Sequence, residues 1–263
     1  MAARKKASPA NFIKLQEVKI QLERFGKGKP LLLLQGEETY EAGSPFVAEL
    51  ARKYDIIMPW APGYGRSTLP DSITRPEDIS YLYLDLLDRL KLKKVNILGC
   101  SMGGWLALEM ATKNPERIGK MVLIDPVGVK IRGKYDRDIE DIYYNTIERV
   151  EAMKWHDIAN DPRDLKALSM RAALTVARHR ETTAKLCWNP YFHNPALKYR
   201  LNRVTMPTLV LWGASDRLVK PSYGRAYAKR MPKARFKTIA KAGHFPHIEQ
   251  PAATLKEIRA FLH

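Results

Sequence analysis

Apolar and polar positions along this chain change period several times. Short runs rich in Val, Ile, Leu and aromatic residues, "VKIQLERFG", "PLLLLQG", "YDIIMPW", "KVNILGC", "KMVLIDP", "TLVLWGA" and "RFKTIA", predict strands. Those starting near 31, 95 and 208 are apolar on both faces, as a strand must be when helices cover both sides of its sheet. Between the runs, apolar residues recur at three-to-four spacing in "SPFVAELARKY", "DISYLYLDLLDRL", "MGGWLALEMATK", "SYGRAYAKRM" and "AATLKEIRAFL", which predict helices. The fold class that follows is α/β, with a mostly parallel, doubly wound sheet.

The alternation stops after Asp125 and resumes at about Met206. Stretches such as "DIEDIYYNTIERVEAM" and "DLKALSMRAALTVARHR" read as helical, and no convincing strand lies between them. We expect an inserted helical cap at 126–204, with 1–125 and 205–263 forming one core domain.

Composition narrows the function classes. With 263 residues, 45% of them apolar, the chain can bury a sizeable core. Its apolar runs fall far short of the ~18 residues of a spanning helix. The basic start "MAARKKASPANF" has no apolar segment after it, so it predicts a solvated leader rather than a secretory signal, and a cytoplasmic location. Cys100 and Cys187 sit in apolar sequence without metal-ligand spacing, predicting reduced, buried thiols and no metal. The formal charge of +17 raises the question of nucleic acid, yet the basic residues are spread out: 126–204 holds 15 Lys and Arg against 10 Asp and Glu. No nucleic-acid or membrane partner is expected. The charge suits solubility and attraction of anions.

Candidate chemistry centres on "NILGCSMGGWLALEM". Gly99, Cys100, Ser101, Met102 and Gly103 match G-x-S-x-G between a predicted strand and a predicted helix. A nucleophile on that turn sits at strained φ/ψ, so its flanks must lack side chains; Gly104 extends the clearance. The helix start offers backbone N–H groups, including that of Met102, to a developing oxyanion. Cys100 should point into the sheet, which leaves Ser101 as nucleophile. A serine hydroxyl needs a base and the base an orienting carboxylate. His244 in "KAGHFPHIEQP" and Asp216 in "LVLWGASDRLV" complete the chain order Ser, Asp, His. His247 reads as packing or capping beside the helix start, and Asp125 in "VLIDPVG" is the rival acid.

These segments, with "WAPGYGRS" and "PTLVLWGASDRLV", resemble the α/β-hydrolase superfamily from about Pro30 to the C-terminus. The resemblance implies a Ser-His-Asp hydrolase without cofactor, beneath a helical cap. The family usually carries His-Gly after its third strand, where this chain reads Gln35, Gly36, Glu37, Glu38. By position the second oxyanion donor is the backbone amide of Glu37. Its carboxylate and that of Glu38 are expected to face solvent or pair with cations.

The activity expected first is hydrolysis of a carboxylic ester or related small acyl compound, anionic or aromatic. A carbon–carbon hydrolase is the alternative, although the His-Gly-x-Gly-x-Gly segment associated with that group is absent. A ligand receptor on the same fold is the reading from another class, and a homodimer stays open. Serine as nucleophile counts against dehalogenase and epoxide-hydrolase chemistry, which need a carboxylate. Trp155 and Trp188 from the cap, with Gly36 and Phe245, are expected to line the substrate pocket.

Overall fold

The computed structural model describes residues 11–36, 44–164 and 167–263. An edge hairpin of β1 (Asn11–Leu15) and β2 (Val18–Phe25) is followed by β3 (Lys29–Leu34), β4 (Tyr54–Pro59), β5 (Val95–Cys100) and β6 (Ile118–Ile124). After a minor parallel pair, β7 (Gly128–Val129) and β8 (His193–Asn194), come β9 (Thr208–Gly213) and β10 (Ala234–Ile239). The main sheet has the order β1-β2-β4-β3-β5-β6-β9-β10. β1 pairs antiparallel with β2 and β2 with β4; the other pairs are parallel.

Helices α1 (Pro45–Ala51), α2 (Pro76–Arg89) and α3 (Met102–Lys113) follow β3, β4 and β5. After α4 (Ile147–Lys154) and α5 (Met170–Cys187), the chain closes with α6 (Pro221–Ala228), α7 (Pro246–Glu249) and α8 (Pro251–Leu262). Strand period explains the layering. Leu32, Leu34, Ile97, Leu123 and Val210 face a core containing residues of α2, α3 and α6. Their neighbours Leu31, Leu33, Leu98, Val122 and Leu209 face another core with α1 and α8. The order reverses at β3, whose successors lie on opposite sides of it. In a doubly wound sheet that reversal opens a crevice at the carboxyl ends of the strands.

Two local expectations are corrected. Asn11 and Phe12, read as a solvated leader, begin β1, where pairing with Leu22 and Gln21 orders them. "DIEDIYYN" forms turns rather than helix, because aspartate side chains capture backbone amides. Asp138 accepts from Ile131 N, and Asp141 from Tyr143 N and Tyr144 N. The minor β7–β8 pair is also absent from the sequence reading, since two-residue strands leave no period to detect. Among the described residues, no helix is long and apolar enough to cross a membrane.

α5 is bolted to the loop after β4. His179 Nε2 accepts from Gly65 N at 2.9 Å, Tyr64 and Thr183 share a hydroxyl bond of 2.7 Å, and Arg178 donates to Gly65 O. Burial, then the Arg178 charge, lowers the His179 pKa from 6.5 to about 4. The unfolded chain therefore takes up this proton as pH falls below 6.5 while the folded chain resists to about 4, so stability drops across that window. Thermal melts from pH 7.5 to 4.5 should show a shallower loss in His179→Gln than in the parent; equal slopes would contradict the buried, neutral imidazole.

Candidate active site

Ser101 follows β5 with φ 50° and ψ −116°, a conformation outside the favoured regions for a residue with a side chain. Ser101 N donates to Ile124 O, and Ser101 O accepts from Gly104 N and Trp105 N. The glycines supply the clearance expected of them. A Cβ on Gly103 would lie 2.1 Å from Leu34 O, and one on Gly99 2.5 Å from Gly103 O. Cys100 is fully buried in the sheet core, as expected of the position before the serine.

His244 and Asp216 come to the same sheet edge from the loops after β10 and β9. Nδ1–H of His244 donates to Asp216 Oδ2 at 2.7 Å, and Ser101 Oγ–H donates to Nε2 at 3.0 Å. A carboxylate can only accept, which fixes this tautomer. Asp216 Oδ1 also accepts from Leu218 N and Val219 N, both at 2.9 Å, so the acid is held by three donors. All the polar partners needed for proton transfer from Ser101 are aligned before substrate arrives. His247 packs against Phe46 and Phe245 instead.

The helix α3 begins at Met102, and its first intrahelical bonds are made by later amides, so the Met102 N–H stands at the helix start beside Ser101. Glu37 and Glu38 lie outside the described residues. Gly36 is buried just beyond β3, and the side-chain Nε2 of its neighbour Gln35 is buried without a partner among the described residues.

A cavity of about 40 Å³ adjoins the serine. Met102, Leu218, Val219 and Phe245 line it from the elbow and the later loops; Val127, Ile139, Ile142, Lys154, Thr183 and Phe192 come from the segment between β6 and β9. Of the four residues expected to line a substrate pocket, only Phe245 does. Trp155 is 1% exposed, and its ring lies tilted against Phe245 at a centroid distance of 5.0 Å, so its indole is spent on packing. Trp188 is 58% exposed, with its ring edge-on to Tyr143, and it lines a separate outer cavity of about 400 Å³ beside Lys134 and Tyr191. Gly36 does not border the cavity at Ser101.

With this geometry in place, comparison with known proteins is decisive at the level of family. The family described as alpha/beta hydrolase fold matches residues 29–251. The chain belongs to this α/β-hydrolase family. The hydrolase is 29% identical over 230 residues to a 2-hydroxy-6-oxononadienedioate/2-hydroxy-6-oxononatrienedioate hydrolase of Cupriavidus pinatubonensis, covering 81% of this chain and 78% of that one. It is 25% identical over 276 residues to a 2-hydroxy-6-oxo-6-phenylhexa-2,4-dienoate hydrolase of Burkholderia cepacia, covering 91% and 89%. A solved meta-cleavage product hydrolase from Pseudomonas fluorescens superposes with a TM-score of 0.76 at 19% identity, covering 96% and 97%, which is a likeness of fold.

Sequence reading missed one residue that shapes the α/β-hydrolase site. The buried carboxylate of Glu249 accepts from Gly243 N at 2.6 Å, His156 N at 3.0 Å and Asp157 N at 3.1 Å. It ties the histidine loop to the end of α4, and His244 N completes the tie by donating to Lys154 O. A glutamate between the loop and α8 in "HIEQP" gives no periodic signal, and only its burial reveals it.

Two outcomes test the site. A fluorophosphonate should label Ser101 alone, and Ser101→Ala should abolish labelling and turnover while leaving the urea midpoint unchanged; an adduct on Cys100 would refute the assignment. Gly103→Ala should destabilise the fold by on the order of 2 kcal/mol, measured by urea unfolding, because the clash is with backbone rather than a flexible side chain.

Proposed function

We propose that this chain is a serine-dependent hydrolase that cleaves the carbon–carbon bond beside a ketone in a small acidic substrate of the 2-hydroxy-6-oxo-dienoate type. The observation that carries hydrolysis is the Ser101–His244–Asp216 relay, at 3.0 and 2.7 Å. Support for the substrate class comes from the two curated relatives, whose names share that chemistry.

In this reading the dienol substrate first ketonises, which places a carbonyl where it can accept electrons from the breaking bond. His244 removes the Ser101 proton as Oγ attacks the 6-oxo carbon, and the Met102 amide, with that of Glu37, stabilises the oxyanion. Collapse expels the dienoate fragment as a carbon leaving group, which takes a proton from the His244 imidazolium. Water, activated by the same imidazole, then hydrolyses the acyl-enzyme. Asp216 stays ionised and holds the ring. The segment 126–204 serves as a cap: it contributes one wall of the cavity, and its Lys154 ammonium offers a counter-charge for a substrate carboxylate while also pairing with Glu151 at 3.0 Å.

One observation favours a second reading, hydrolysis of a carboxylic ester. The strand β3 is followed by Gln35 and Gly36 rather than by the glycine-rich turn associated with carbon–carbon hydrolases. Addition of Ser101 to a carbonyl is common to both readings, and only the leaving group differs, a stabilised carbanion in one and an alkoxide in the other.

The two readings separate in one assay. Expected kcat/KM for 2-hydroxy-6-oxononadienedioate exceeds that for 4-nitrophenyl acetate by about a hundredfold, equivalent to ~2.7 kcal/mol of transition-state binding. The reverse ranking would establish the ester reading.

A further inference from the structure

Asp125, at the end of β6, is fully buried and has no part in the relay as drawn. It adopts φ 42°, the second left-handed residue at this edge of the sheet after Ser101. Its Oδ1 accepts from Gly213 N at 3.0 Å, whereas its buried Oδ2 has no partner among the described residues. Asp125, Asp216 and His244 each bring one oxygen or nitrogen within 4.8 Å of the others.

Two carboxyl groups this close and this buried do not both ionise, since like charges and lost hydration each penalise the second anion. Hydrogen bonding decides which one keeps the charge. Asp216 accepts from Leu218 N, Val219 N and His244 Nδ1, all of which stabilise a carboxylate, while among the described residues Asp125 accepts from Gly213 N alone. A proton on Asp125 Oδ2 gives that orphaned atom a partner at once. It becomes a donor, and the facing acceptor is Asp216.

We propose that Asp125 and Asp216 carry a single negative charge between them, with Asp125 Oδ2–H donating to the Asp216 carboxylate, and that Asp125 is a reserve acid for His244. The charged and titratable groups facing Asp125 are Asp216, His244 and Glu249. Burial, followed by the negative charge of Asp216, holds the Asp125 carboxyl well above the usual range; the Gly213 amide opposes this and Glu249 reinforces it. In the parent protein Asp125 is a positioning residue that steadies Asp216. When the charge on Asp216 is removed, the main like-charge penalty goes with it. The Asp125 proton can then pass to water as pH rises, leaving a carboxylate within reach of the imidazole.

The reserve role rests on the Ser101 hydrolase reading, whereas the shared proton can be read without turnover. Infrared difference spectra of the intact protein at neutral pH should contain a buried, protonated carboxyl C=O band that Asp125→Asn removes. That variant keeps both contacts, since the amide accepts from Gly213 and donates to Asp216, and it should retain most activity. Asp216→Asn should remain at least tenfold more active than Asp125→Asn/Asp216→Asn, and its residual rate should rise toward alkaline pH as Asp125 ionises. Absence of the infrared band from the parent protein overturns the shared proton. Equal activity of the single and double variants across pH overturns the reserve acid. A parent protein that shows the band but turns over no substrate refutes the hydrolase reading and leaves the shared proton standing.

Discussion

The backbone of Ser101 is the constraint on which the rest of this molecule depends. Its φ of 50° places a residue with a side chain where few such residues reside, at a cost on the order of 1–3 kcal/mol. The turn persists because its surroundings leave no alternative. Ser101 N is held by Ile124 O, and Ser101 O receives Gly104, Trp105 and Val127 amides, so the end of β6, the turn after it and the first turn of α3 are fastened to one residue. The close approach of α3 to Leu34 at the end of β3 follows from the same need, and it is available only because residue 103 has no side chain.

Much of this was legible in the sequence, for identifiable reasons. Strands buried on both faces read as unbroken apolar runs, and α3 coincides with "MGGWLALEMATK" because its cap is set by the elbow itself. The convergence of Ser101, Asp216 and His244 is legible because each follows a predicted strand, and residues at the carboxyl ends of parallel strands meet at one edge. What escaped depends on three-dimensional burial. Trp155 and Trp188 carry the same indole, yet one is wedged behind Phe245 and the other faces the outside, and spacing along the chain does not distinguish them. On spacing alone Asp125 and Asp216 are rivals for one role. The fold brings the two acids into one buried cluster, a relation no linear motif encodes.

The segment between β6 and β9 is joined to the sheet at two distant points. α5 reaches the loop after β4 through His179, Thr182 and Thr183, and the end of α4 reaches the histidine loop through Glu249 and Lys154. Both contacts are made of backbone amides and carbonyls answered by buried side chains, so each is directional as well as adhesive. The wall this segment presents to Ser101 is therefore positioned by hydrogen-bond geometry as much as by apolar packing.

The lining of the space at Ser101 has a consequence for its electrostatics. Apart from the serine and histidine of the relay, Lys154 and Thr183 are the polar side chains among the described residues that border it, and the rest of the wall is apolar. Water beside such a wall finds few partners to hold it. Charge separated across the relay is therefore screened less than it would be in open solvent, and an apolar wall lengthens the reach of every fixed dipole that points through it.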